Sequence, residues 1–125
     1  MRDDAIFATQ RQVSLFDADW RAQGEALRAC ISGASVLVVG GAGTIGAATV
    51  KLLLELEPRR LHIVDVDENG LARLARAVVS EAKPRAELFY LAADFGAHPM
   101  RAHLEAAGPF DVVLDFAAVK HVRSE

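Results

Sequence analysis

Three glycines, Gly40, Gly43 and Gly46, stand three residues apart directly after the branched apolar run Val36-Leu37-Val38-Val39. A helical pattern follows them. A buried strand that turns sharply into a helix, with bare backbone at the turn, suits a dinucleotide. The first glycine permits the tight turn, the second lets backbone approach the pyrophosphate, and the third lets the helix pack closely on the sheet. The helix start adds unpaired N–H groups and a partial positive charge for the phosphates. Thr44 and Ile45 lie within the same turn and join the expected cofactor contacts. Gly43→Val, whose Cβ would push the backbone from the pyrophosphate, is expected to abolish binding and to cost fold stability as well. The bland alternative is a tight turn that binds nothing.

Positions further along the chain could complete such a site. Asp65 ends the next apolar run, at the roughly 20-residue spacing of the acid that accepts hydrogen bonds from the adenosine ribose. Its charge would repel a 2′-phosphate and so favour NAD over NADP, and Asp65→Ser should narrow that gap. Val66 follows, where an arginine would have suited NADP. Asp67 competes for the ribose but is assigned to the cap of the following helix. Asp94 follows the third strand; it could meet the adenine amino group or, equally, cap the short helix after it. Ala117 and Ala118 are small enough to let backbone pass close to a cofactor. Lys120 and His121 would then stand at the carboxyl end of the sheet, or else in a solvent-facing polar loop. Among the four histidines and the single Cys30 no metal-ligand spacing is present, so no metal site is expected. No glycine-lysine-serine phrase marks a P-loop.

The elements that must hold these residues alternate. Strands are expected at 36–39, 61–66, 87–92 and 111–116. A helix carrying Ile45, Thr49, Leu52, Leu53 and Leu56 on its inner stripe should run from the glycines to a stop before Pro58. Asp67 should open a second helix with Leu71, Leu74, Val78, Val79 and Ala82 facing inward, closed by Pro84. A third, short helix follows Pro99 and ends at Gly108-Pro109, with Leu104 inward. Alternation with short connections predicts an α/β fold: a Rossmann-type doubly wound parallel sheet, here its first four strands, with helices on both faces. Residues 1–33 differ. From about 5 to 16 no firm period is present. From Asp17 or Asp19 an amphipathic helix with Trp20, Leu27 and Ile31 at helical spacing runs to Gly33. The domain reading is therefore an N-terminal extension at 1–33 and an NAD(P)-binding domain at 34–125.

The chain has 125 residues, 52% apolar and 25% charged, with a net charge of −3. Those proportions belong to one globular domain with a real core. The negative balance argues against nucleic acid and anionic membranes as partners. One cysteine excludes a disulfide framework and suits a reducing cytoplasm. The N-terminus lacks a signal peptide's apolar core. The longest uncharged stretch is broken by glycines and is too interrupted for a membrane span.

The glycine triplet, Asp65, Asp94 and the segment Ala117-Ala118-Val119-Lys120-His121-Val122 together resemble the extended short-chain dehydrogenase/reductase superfamily. The match looks closest to its polysaccharide-biosynthesis branch, the UDP-N-acetylglucosamine 4,6-dehydratases and relatives. That branch carries a phrase like Pro-Lys-Lys-Leu into its second strand, an acidic Asp-Glu-Asn turn and an alanine-rich Lys-His-Val loop. This chain has Pro58-Arg59-Arg60-Leu61, Asp67-Glu68-Asn69 and Lys120-His121-Val122. The likeness runs from about residue 35 to the end.

The resemblance implies an NAD(P)-dependent nucleotide-sugar dehydratase or epimerase, a lyase-type chemistry in surface polysaccharide biosynthesis. NAD would take hydride from the sugar C4, which acidifies C5; water leaves across C5–C6 and the hydride returns to C6. A UDP-sugar substrate, cytoplasmic location and a homo-oligomer are expected of the full-length parent. Two departures stand out. The branch often reads His-Ala-Ala-Ala where this chain has Asp115-Phe116-Ala117-Ala118. The family's Tyr-x-x-x-Lys pair is absent, because the one tyrosine, Tyr90, lies inside a strand and is followed at the fourth position by Asp94. The chain is therefore expected to stop before the catalytic and substrate-binding half, to contain no catalytic residue and to be inactive alone. The competing expectation is an NAD-sensing regulatory module, of the kind that gates potassium transport, without catalysis.

Overall fold

The computed structural model describes residues 3–81 and 84–118. Two compact units divide at Cys30 and Ile31. The first holds α1 (Asp3–Thr9) and nearly all of α2 (Asp17–Ile31). The α1 helix corrects the sequence expectation of an aperiodic stretch there; seven residues are too few for a periodicity to register. In α2, Asp17 pairs with Arg21 one turn on, at 2.9 Å, which supports the helix only slightly because both ends are solvated. Gly33, with φ of +73°, ends α2 in the left-handed region.

The second unit is a four-stranded parallel sheet. Its strands are β1 (Ser35–Val39), β2 (Arg60–Asp65), β3 (Glu87–Ala92) and β4 (Val112–Asp115), in the spatial order β3-β2-β1-β4. Between them run α3 (Thr44–Glu55), α4 (Glu68–Glu81) and α5 (His98–Ala107). β1 sits inside, every residue buried, which is why it reads as an unbroken branched-apolar run. The chain steps from β1 to β2 to β3 on one side, then crosses to β4 on the other. The strand order thus reverses beside β1.

The sheet's two faces carry two cores. Val36, Val38, Leu61 and Ile63 pack against Val50, Leu53 and Leu54 of α3 and Leu71, Leu74 and Val78 of α4. Leu37, Val39 and Val64 pack on the other face with Met100 of α5, supported by Leu104. Alternate residues of one strand serve opposite cores, as the two-residue period requires.

The rotation of α3 differs from the sequence expectation. The apolar pattern puts Ile45 and Leu52 on its inner stripe, yet they are 69% and 41% exposed, while Val50 and Leu54 are buried. The cause is Gly46. A Cβ at that residue would collide with the Gly40 carbonyl oxygen and lie 2.8 Å from the Gly41 Cα. The helix is seated by this backbone contact, so its inward face is 46, 50, 53, 54, and the bulky Ile45 turns out. Val79 is likewise outward, 76% exposed, one step past the buried Val78. Asp67 does cap α4: its Oδ1 accepts the Gly70 N–H at 2.9 Å, and its carbonyl accepts the Leu71 N–H. Among the described residues no helix is long and apolar enough to cross a membrane.

A second polar feature lies beneath α5, toward the amino end of the sheet. Arg60 donates from Nε to Ser35 Oγ and from Nη2 to the Pro109 carbonyl. The Ser35 N–H donates to Asp111 Oδ2 at 2.8 Å. These bonds tie β1, β2 and the approach to β4 together. They also place Arg59 and Arg60 far from any ligand at the carboxyl ends. Deeper, His62 is buried and its Nδ1 lies 2.8 Å from Nε2 of His103 on α5. The His62 ring stacks on Phe89, with centroids 4.3 Å apart, and meets Phe110 edge-on. His62 Nε2 is buried without a hydrogen-bond partner among the described residues. A bare acceptor is cheaper to bury than an orphaned N–H, so the assigned proton sits on Nδ1 and is donated to His103.

Candidate functional site

The carboxyl ends of all four strands open onto one cleft of about 610 Å³, within the range of small-molecule sites. Its floor is the turn after β1. Gly40 has φ of +79°, which glycine alone adopts without strain. Its N–H donates to the Val64 carbonyl at 2.8 Å, so the turn hangs from β2. On its other side the β4 loop passes so near that a Cβ would lie 2.7 Å from the Ala117 nitrogen and 2.8 Å from the Phe116 carbonyl carbon. Bare backbone at Gly40 is therefore required twice, by the conformation and by the neighbour.

Gly43 is different. It is the N-cap of α3, with φ of −71°, and no side chain caps the helix there. A Cβ at Gly43 would meet only the Gly40 carbonyl oxygen, at an ordinary 3.7 Å. A Cβ alone therefore meets no obstacle at this position, and the space beyond it faces whatever approaches the uncapped helix end. That end keeps first-turn amides free for an anion.

Asp65 ends β2 beside this turn and does more than the sequence suggested. Its Oδ2 accepts the Ala42 N–H at 2.9 Å, and its Oδ1 accepts the Asp67 N–H at 2.9 Å. The carboxylate thereby pins the glycine turn from the side. A carboxylate has about four acceptor positions, so capacity remains for ribose hydroxyls.

Asp94 lines the same cleft after β3. The alternative helix-cap role is corrected: α5 begins at His98, its N-cap is Ala97, and no side chain caps it. Asp94 instead turns back on its own loop, its Oδ1 accepting the Gly96 N–H at 3.1 Å. Such short local bonds suit aspartate and leave it exposed at the rim.

Ala117 and Ala118 reach the cleft from β4. Thr44 and Ile45 do not line it; their side chains are exposed on the first turn of α3, and Gly46 is buried beneath them. Lys120 and His121 lie outside the described residues. Tyr90 is half-buried in β3, packed with the α3–α4 core, away from the cleft, and burial raises its phenol above the ordinary value.

Sequence reasoning missed Asp115 and Phe95. Both line the cleft. Asp115 ends β4 as Asp65 ends β2, and its Oδ1 accepts the Ala117 N–H at 2.9 Å, shaping the loop that lies on Gly40. The signal was available, because acids at the carboxyl ends of parallel strands share one rim. Among the described residues that line the cleft, Asp65, Asp94 and Asp115 carry charge and no lysine or arginine does.

The glycine turn, the uncapped helix and the acid at the end of β2 converge where the strand order reverses, the place at which open parallel sheets bind ligands. A family model described as "Polysaccharide biosynthesis protein" matches residues 36–124. The chain belongs to the polysaccharide biosynthesis protein family. It is 37% identical over 93 residues to UDP-glucose 4-epimerase 3 of Oryza sativa subsp. japonica, covering 73% of this chain and 25% of that protein. Among solved structures it is similar to Pen from Bacillus thuringiensis, with a TM-score of 0.61 at 26% identity, over 74% of this chain and 27% of that one. It is also similar to the enzyme WbmF from Bordetella bronchiseptica, solved in complex with NAD+ and UDP, with a TM-score of 0.53 at 25% identity, over 71% of this chain and 24% of that one. The chain spans about a quarter of the length of these relatives. The resemblance carried by the glycine loop and the Lys-His-Val phrase thus leads to the same family as the family model.

Proposed function

We propose that the chain supplies the NAD-binding part of a nucleotide-sugar dehydratase or epimerase acting in polysaccharide biosynthesis. The observation that carries this is the turn at 40–43. It is suspended from Val64, pinned by Asp65, overlain by Ala117 and open only where a Cβ at Gly43 would project. A pyrophosphate fits that opening, with the amides of α3 directed at it and the adenosine ribose beside Asp65. NAD supplies hydride acceptance and return. The described residues supply binding and orientation. WbmF, whose structure holds NAD+ and UDP, supports the cofactor and the nucleotide-linked substrate class, and the rice epimerase supports the sugar chemistry. The acid and base that move the sugar's protons belong to residues beyond the cleft described, since Tyr90 does not line it.

Calorimetric titration of NAD into the purified chain should give a saturable heat, accompanied by a rise in melting temperature. Gly43→Ala should fold normally and bind NAD at least about tenfold more weakly, because its methyl occupies the space the pyrophosphate needs. Millimolar NAD producing neither heat nor thermal shift in the wild-type chain would sink the proposal.

Asp65 should set NAD over NADP. Its carboxylate would face the 2′-phosphate at close range, a discrimination of roughly 1–3 kcal/mol. Asp65 holds both the Ala42 and the Asp67 N–H, so Asp65→Asn, which removes the charge and keeps an acceptor for one of these amides, is a milder change than Asp65→Ser, and its melting temperature is compared with the wild type's beside the binding. The ratio of NADP to NAD dissociation constants should fall in Asp65→Asn. Equal affinity of the wild type for both cofactors would refute the assignment.

A further inference from the structure

We propose that Asp115 makes the site distinguish the two redox forms of its cofactor, favouring the oxidised form, whose nicotinamide ring is cationic, over the reduced form, whose ring is neutral. The inference rests on the dinucleotide lying in the cleft described above.

β2 and β4 flank β1 on opposite sides, with Val39 paired to both Val64 and Asp115. Asp65 therefore stands at the carboxyl end on one side of Gly40 and Asp115 at the carboxyl end on the other. In sheets of this order the two mononucleotide halves lie across the crevice on either side of the strand-order reversal. With the adenosine ribose beside Asp65, the pyrophosphate crosses the turn at 40–43 and the nicotinamide half lies on the β4 side. Asp94, on the loop after β3, belongs to the adenosine side with Asp65. That leaves Asp115 as the described carboxylate on the nicotinamide side.

Two features let its charge act there. The Ala117 N–H donates to its Oδ1 at 2.9 Å, which directs the carboxylate along the rim of the cleft. No lysine or arginine among the described residues that line the cleft neutralises it. The two forms of the cofactor differ by one unit of charge on the nicotinamide ring. The pyrophosphate is common to both, so its repulsion by Asp115 cancels in the ratio of their affinities. What survives in that ratio is the attraction of the carboxylate for the cationic ring.

The test measures dissociation constants for NAD+ by calorimetry and for NADH by fluorescence, in the wild-type chain and in Asp115→Asn. Asparagine keeps an Oδ1 acceptor for the Ala117 N–H, so the loop over Gly40 retains its anchor. The ratio of the NADH to the NAD+ dissociation constant should fall about three- to tenfold in Asp115→Asn at low ionic strength. In the wild type alone, raising the ionic strength should lower the same ratio, a measurement that needs no variant to fold. Both cofactors binding with a ratio unchanged by the substitution and by salt would overturn the role of Asp115 while leaving the cofactor site intact. Failure of the wild type to bind either form would overturn the cofactor site, and the role of Asp115 with it.

Discussion

Gly46→Ala should destabilise the fold by roughly 3 kcal/mol or more, although alanine is the better helix former by about 1 kcal/mol. The added methyl would collide with the Gly40 carbonyl oxygen and stand 2.8 Å from the Gly41 Cα. All of these atoms are backbone, held by the Gly40 N–H bond to Val64. Nothing there can rotate away, as a side chain could. Relief requires either α3 to move off the sheet, exposing Val50, Leu53 and Leu54, or the turn to rearrange. Gly43→Ala, three residues earlier, should change stability by less than about 1 kcal/mol, since its Cβ meets an ordinary contact at 3.7 Å and its φ of −71° suits any residue. Urea denaturation of the two variants beside the wild type measures the contrast. A Gly46→Ala protein as stable as the wild type would show that α3 is not seated by that contact.

The second large effect is a loss of stability in acid that belongs to His62. Burial, then the nearby His103, then Arg60 lower its pKa from 6.5 to about 4. The imidazole is thus held neutral in the folded chain and protonates more readily in the unfolded one. The unfolded state binds the extra proton between about pH 6.5 and pH 4, so the contribution of His62 is complete above that window and is lost as pH falls through it. Below the window both states are protonated and the loss stops growing. A shift of this size corresponds to about 3 kcal/mol. The groups around the ring explain why it cannot charge: Arg60 comes from its own strand, His103 from α5, and the strand and loop beside it offer Phe89 and Phe110, which carry none. His62→Leu removes the titration while keeping an apolar filling. Denaturation at pH 7.5 and pH 4.5 should show the wild type losing about 2–3 kcal/mol more than His62→Leu across that interval, most of the full shift. Equal losses in the two proteins would assign the acid sensitivity to other groups.

The sequence alone determined the order and kind of the elements in the second unit, and it did so through periods. Val36-Leu37-Val38-Val39 is apolar on both sides because β1 is covered on both faces. Leu71, Leu74 and Val78 recur at helical spacing because only one side of α4 is covered. Glycine spacing and the acid at residue 65 pointed to the carboxyl ends of β1 and β2, since a ligand site in a parallel sheet is built from strand ends and the loops after them. Those signals are local: each depends on a few consecutive residues and on what their side chains can and cannot do.

What the tertiary structure alone decided depends on atoms brought together from distant positions. The rotation of α3 about its axis was illegible because it is set by the Gly40 carbonyl pressing on Gly46, not by the apolar pattern, which Ile45 and Leu52 made ambiguous. The separate tasks of Gly43 and Gly46 were illegible for the same reason, because identical residue types face open space in one case and backbone in the other. Asp65 read as a ligand-binding acid, and only the fold disclosed that it also pins the Ala42 amide. His62 and His103 carried no spacing signal, because 41 residues separate them and a crossover of the chain over the sheet sets their 2.8 Å approach. Asp115 joined the rim only when β4 was seen to lie beside β1 across from β2. Strand order is a long-range property, chosen by which helix covers which face, and no local period encodes it.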